Sequence, residues 1–75
     1  MRYGLVLREM LEERGISQAA LGRMIGKQRG HISSLVNGQI EEPTLSVAIA
    51  IADALGVNIY DMVERMEEDD DDDDG

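Results

Sequence analysis

Apolar residues recur at helical spacing along almost the whole chain, and glycines interrupt them at positions 15, 26, 38 and 56. A strand needs strict alternation over several residues, and no stretch long enough shows it. The core must therefore be built from short helices. Leu7, Met10, Leu11 and the stem of Arg14 share one face of a first helix, which Gly15 stops. Ser17 is a natural N-cap for a second helix, Gln18 to Ile25, ended by Gly26. A third runs from about Gln28 to Val36 with Ile32 and Leu35 inward, and Asn37-Gly38 turns the chain. Pro43 keeps Glu41-Glu42-Pro43 out of a helix. Thr44 then caps a fourth helix, Leu45 to about Leu55, stopped by Gly56, and Asn58 caps a fifth, Ile59 to about Met66. The expected fold is all-α, a compact five-helix bundle over residues 1–66. Residues 67–75 form a polyacidic tail with nothing apolar to bury, expected to be disordered.

A chain of 75 residues makes one small domain, and without cysteine its core must rest on apolar packing alone. No apolar run approaches the roughly 18 residues of a membrane span. Met1-Arg2-Tyr3-Gly4 opens no signal-peptide pattern, so a soluble cytoplasmic protein with no membrane partner is expected. The fourth helix is apolar nearly all round, with only Ser46 and Asp53 polar between Leu45 and Leu55. Such a helix is buried on more than one side, and a body this small cannot cover it, so a two-fold dimer is expected.

The net charge of −9 is unevenly placed. Glu67, Glu68 and Asp69 to Asp74 supply eight of the sixteen acids, so residues 1–66 hold seven cations against eight acids. No acid falls between Glu13 and Glu41, where Arg14, Arg23, Lys27, Arg29 and His31 all lie. A cationic middle between acidic flanks reads either as a solvated basic face or as a place where phosphates dock. Charge alone does not choose between them. Enzyme chemistry is poorly served: there is one His, no Cys and no glycine-rich phosphate loop. No catalytic residue, metal site or cofactor is expected. His31, beside Gly30, reads as an exposed side chain rather than a ligand or base.

The run Ile16-Ser17-Gln18-Ala19-Ala20-Leu21-Gly22-Arg23-Met24-Ile25-Gly26, followed by Ile32-Ser33 and Asn37-Gly38, resembles the phage-repressor (Cro/C1-type, or XRE) helix-turn-helix family. Pro43-Thr44-Leu45 and Ala52-Asp53-Ala54-Leu55-Gly56-Val57 continue the likeness, which covers about residues 5–65. The resemblance implies a lambda-repressor-like bundle that binds double-stranded DNA sequence-specifically and regulates transcription, as a repressor. It places the third helix in the major groove, with Gln28, Arg29, His31, Ser33 and Ser34 as base-reading candidates. Ser17, Gln18, Arg23, Lys27 and Asn37 are the phosphate-contacting candidates. It implies a homodimer through Val57, Ile59, Tyr60, Met62, Val63 and Met66, extended by Val47 and Ala50, on an operator with inverted half-sites. The alternative is a protein-interaction module on the same scaffold, an antitoxin or antirepressor that engages a partner through the fifth helix or the acidic tail. The tail itself reads as a solvating segment, as a competitor of DNA for the cationic helix, or as a docking site for a basic protein.

Two departures from the family pattern stand out. Gly30 lies inside the recognition helix, so that either a side chain there would clash with DNA or the helix orders fully only when bound. Leu11 and Val36 occupy the positions where the family often has an Arg–Glu ion pair, so they are expected to meet as an apolar contact.

Overall fold

The computed structural model describes residues 2–68. Within them are five helices and no strand: α1 (Tyr3–Arg14), α2 (Gln18–Ile25), α3 (Arg29–Val36), α4 (Leu45–Leu55) and α5 (Ile59–Glu68). The chain is the all-α five-helix bundle that periodicity and resemblance led us to expect. Three of the expected side-chain caps form: Ser17 Oγ accepts from the Ala20 amide, Thr44 Oγ1 from Val47 and Asn58 Oδ1 from Tyr60. Gln28 is the residue before α3 rather than its first turn, and its side chain makes no capping bond. α5 continues two residues past Met66, because Glu67 and Glu68 are good helix formers. The expectation for Asp69 to Asp74 lies outside the described residues.

Val6, Leu7, Leu21, Ile32, Leu35 and Ile51 are fully enclosed, one or two from each of the first four helices, and Met62 closes the core from α5. α5 is clamped from outside as well. Arg65 Nη2 donates to Glu9 Oε1 at 2.7 Å and to Glu13 Oε2 at 3.3 Å, reaching across to α1. These two carboxylates also raise the Arg65 pKa, so the guanidinium stays charged. Arg14 serves a similar joining role. Its Nε donates to the Leu55 carbonyl at 3.0 Å, satisfying an end carbonyl of α4. Arg14 therefore belongs to the frame and not to the cationic face in which charge counting placed it.

Leu11 and Val36 line different clefts of the surface. α3 ends against the first turn of α1, where a Cβ on Gly4 would sit 2.7 Å from the Val36 carbonyl oxygen. Val36 accordingly lies beside Arg2, Gly4 and Leu5. Leu11 lies with Ile16 and Gln18, seven residues beyond Gly4 or about 10 Å further along the axis. Leu11 itself is buried, and Val36 is packed against the core cluster to which Leu11 belongs.

Tyr3 is the one strained choice in this packing. Its hydroxyl is buried and finds no hydrogen-bond partner among the described residues. Burial also pushes its pKa up to about 12. Replacing it with phenylalanine removes an unsatisfied polar atom, so Tyr3→Phe is expected to stabilise the fold by about 1 kcal/mol at neutral pH. The folded-state pKa lies above the unfolded value of 10.0, so the fold keeps its full stability below that value and loses part of it as the pH rises towards about 12, where the unfolded chain ionises and the buried phenol does not. Urea melts of both forms across that alkaline range should show a steeper decline for the wild type; parallel declines would rule the ionisation out.

Candidate nucleic-acid interface

α2 and α3 make the most extensive helix–helix contact of the molecule. The turn between them is set by backbone. The Gly26 amide donates to the Arg23 carbonyl, and the Lys27 amide to the Gly22 carbonyl at 2.8 Å, closing α2 with Gly26 at φ 75°. That left-handed conformation is open to glycine at no steric cost. The Lys27 carbonyl then folds back over α2 so closely that a Cβ on Gly22 would lie 2.7 Å from its oxygen. Gly22 thus admits α3 to its position. Sequence reading took it as an ordinary helix residue, although a glycine inside an eight-residue helix was itself a signal.

α3 turns Ile32 and Leu35 into the core with no exposure. At about 100° per residue its opposite side carries Gly30, flanked by Arg29, Ser33 and Ser34. Gln28, Arg29 and Gly30 are exposed, while His31, Ser33 and Ser34 are half-buried. Ser34 is partly engaged, since its hydroxyl donates to Gln39 Oε1 at 3.2 Å. Asn37 shapes the turn after α3 by accepting from the Gln39 amide at 3.0 Å, which leaves its NH₂ group to face outward partners. Gln39 tethers both and had no place in the sequence reading.

The phosphate candidates sort in the same way. Ser17 uses its oxygen as the α2 cap and retains its hydroxyl proton as a donor. Gln18, half-buried, lines a cleft with Arg8, Leu11 and Ile16 at the amide end of α2. Arg23 and Lys27 are exposed. The ion pairs of the described residues engage Arg8, Arg14 and Arg65, so Arg23, Lys27 and Arg29 have no carboxylate partner among them. Three cations without an acidic partner among the described residues thus gather at the α2–α3 turn and the start of α3, whereas Glu9 and Glu13 of α1 are held by Arg65 and Glu12 by Arg8.

The expected dimer residues divide. Met62 and Val47 are core, at 1% and 9% exposure, because α5 and α4 turn them towards α1. Val57, Ile59 and Met66 are packed against the core and only partly exposed, and Ala50 is half-buried. Tyr60 at 74% and Val63 at 42% face outward. Leu45 and Ile49 join them on the exposed side of α4, at 72% and 51%. Between the helices lies a shallow groove of about 280 Å³, walled by Pro43, Leu45, Ala48, Ile59 and Val63. The apolar wealth of α4 does leave an uncovered face, but through Leu45 and Ile49 rather than Val47. Among the described residues no group of three or more His, Asp or Glu is placed to hold a metal ion.

Residues 7–62 match the model of a protein family described as helix-turn-helix. No curated protein matches the sequence. Among solved structures, the clp gene regulator ClgR from C. glutamicum is similar at a TM-score of 0.75 and 23% identity, covering 81% of this chain and 78% of that one. The restriction-modification controller protein C.AhdI from Aeromonas hydrophila aligns at a TM-score of 0.74 and 27% identity, covering 80% and 86%. The same fold occurs in HppE, solved with cobalt and substrate, at a TM-score of 0.72 and 27% identity, but there the likeness spans only 33% of that chain. Because the contact that seats α3 is between backbones, Gly22→Ala is expected to lower stability by about 1–3 kcal/mol despite the better helix propensity of alanine. Chemical denaturation measures it, and an unchanged midpoint would remove Gly22 from this role.

Proposed function

The chain belongs to the helix-turn-helix family of DNA-binding transcription regulators, and on that premise we propose that it is a repressor whose α3 enters the major groove of an inverted-repeat operator, one copy per half-site. The observation that carries this reading is Arg29: exposed, without an acidic partner among the described residues, and held at the start of a formed α3 whose seat on α2 is fixed by backbone. A guanidinium there can grip guanine O6 and N7 together. Gln28 and Ser33 are the supporting base contacts, with His31 and Ser34 at the margins. Arg23, Lys27, Gln18, Ser17 and the Asn37 amide hold phosphates and set the register without reading sequence. The two regulators among the structural neighbours, a gene regulator and a restriction-modification controller, support the regulatory role. A domain bound in the groove by α3 occupies DNA that the transcription machinery needs, which is repression, and it works in the cytoplasm alongside that DNA.

The homodimer is the second part of the proposal. Leu45, Ile49, Tyr60 and Val63 supply an exposed apolar face on α4 and α5 that a second copy would cover. A two-fold pair on this face would set its recognition helices about 34 Å apart, one turn of the duplex.

Selection of bound DNA from a random pool tests the whole reading. Against the selected duplex, Arg29→Ala should weaken binding by about 1–3 kcal/mol and relax preference at one position per half-site. Lys27→Ala should weaken all duplexes alike and lower the salt slope by about 1. Equal effects of the two substitutions would contradict the division into reading and holding. Val63→Glu, at an exposed position, should convert a sedimenting dimer into a monomer and lower operator affinity by more than tenfold, with the melting temperature of the monomer little changed. A wild-type monomer at tens of micromolar would dismiss the dimer.

A further inference from the structure

Gly30 has no reason to be glycine that comes from its own chain. A Cβ built on it meets nothing within 4 Å, and its backbone is not in the left-handed region. This sets it apart from Gly4 and Gly22, where a Cβ would strike backbone, and from the four glycines with positive φ. Alanine there would improve the helix. The idea that glycine loosens α3 until it binds is also unsupported by the geometry. α3 runs without a break through Gly30, with the His31 amide bonded to the Gln28 carbonyl at 3.0 Å.

What remains is a constraint from outside. Gly30 lies in the first turn of the recognition helix and nearly opposite Ile32 and Leu35, so it marks the line along which α3 is farthest from the core. Recognition helices enter the groove by their N-terminal residues. On the helix-turn-helix reading given above, Gly30 is therefore the point of closest approach to the groove floor. A residue without a side chain offers no donor or acceptor for purine N7, guanine O6 or the amino groups of adenine and cytosine. It offers only a Cα surface and a methyl-sized space. The major-groove edge that matches such a space is the C5-methyl group of thymine. We propose that Gly30 is a specificity-determining residue that receives a thymine methyl, so that this chain reads one thymine per half-site by shape, beside the base read by Arg29.

The test pairs a substitution in the protein with one in the DNA. Wild type and Gly30→Ala, as full chains, are titrated against the selected duplex and against duplexes carrying deoxyuridine in place of each thymidine in turn. Gly30→Ala should melt about 5 °C higher, yet bind the thymine duplex at least tenfold more weakly. Deoxyuridine at one position per half-site, lacking the methyl, should restore most of that loss for Gly30→Ala while weakening the wild type several-fold. Equal affinity of the two proteins for the thymine duplex would overturn the proposal. So would a loss that no deoxyuridine position relieves, since the alanine methyl would then be meeting the sugar-phosphate backbone. A lower melting temperature for Gly30→Ala would overturn its premise that glycine has no internal role. A wild type that selects no sequence at all would defeat the operator reading itself, an outcome separate from each of these.

Discussion

The close passage of the Lys27 carbonyl over Gly22 sets the relation between the two helices of the helix-turn-helix. Three backbone features converge there: the Gly22 carbonyl accepts from the Lys27 amide, Gly26 turns the chain through positive φ, and the absence of a side chain at Gly22 lets the turn close down. Backbone contacts of this kind have little freedom to repack. The angle between α2 and α3 is thereby insulated from the choice of surface residues, and the outer side of α3 is left open to vary. A second backbone contact, the end of α3 against Gly4, fixes the other end of the helix. α3 is held at both ends by places where a side chain is missing.

The polar residues divide their labour accordingly. Ser17, Thr44, Asn58 and Arg14 satisfy helix ends, and Ser34, Asn37 and Gln39 tie the turn that follows α3. Arg65 gathers Glu9 and Glu13, which joins α5 to α1 and keeps two carboxylates away from the α3 side. Individually such exposed pairs add little stability. Their effect is on where charge resides. A protein of strongly acidic composition can thus carry a local cationic segment, because half of its acids lie beyond Met66 and none falls between Glu13 and Glu41.

Helix ends were legible in the sequence because a cap is a bond spanning two or three residues, and Ser17, Thr44 and Asn58 each make the bond their position implied. The outward side of α3 was legible for a similar reason: Ile32 and Leu35 mark its inner side, and the remaining positions follow from the helical period. Four assignments were not legible. Arg14 looked like part of the basic face until α4 brought the Leu55 carbonyl to it. Met62 and Val47 looked like contact residues, and the crossing of α4 and α5 over α1 buried them instead. Gln39, which engages both Ser34 and Asn37, carried no local signal at all.

The sequence by itself determined five helices, the limits of the last four to within a residue or two, and which helix carries Arg29 outward. Each of these depends on bonds and periodicity within about one turn of chain. Only the tertiary structure decided which apolar residues stay uncovered, and which glycines are there to admit a neighbouring backbone. Those depend on where helices distant in sequence cross, and the crossing points are set by the joint packing of all five.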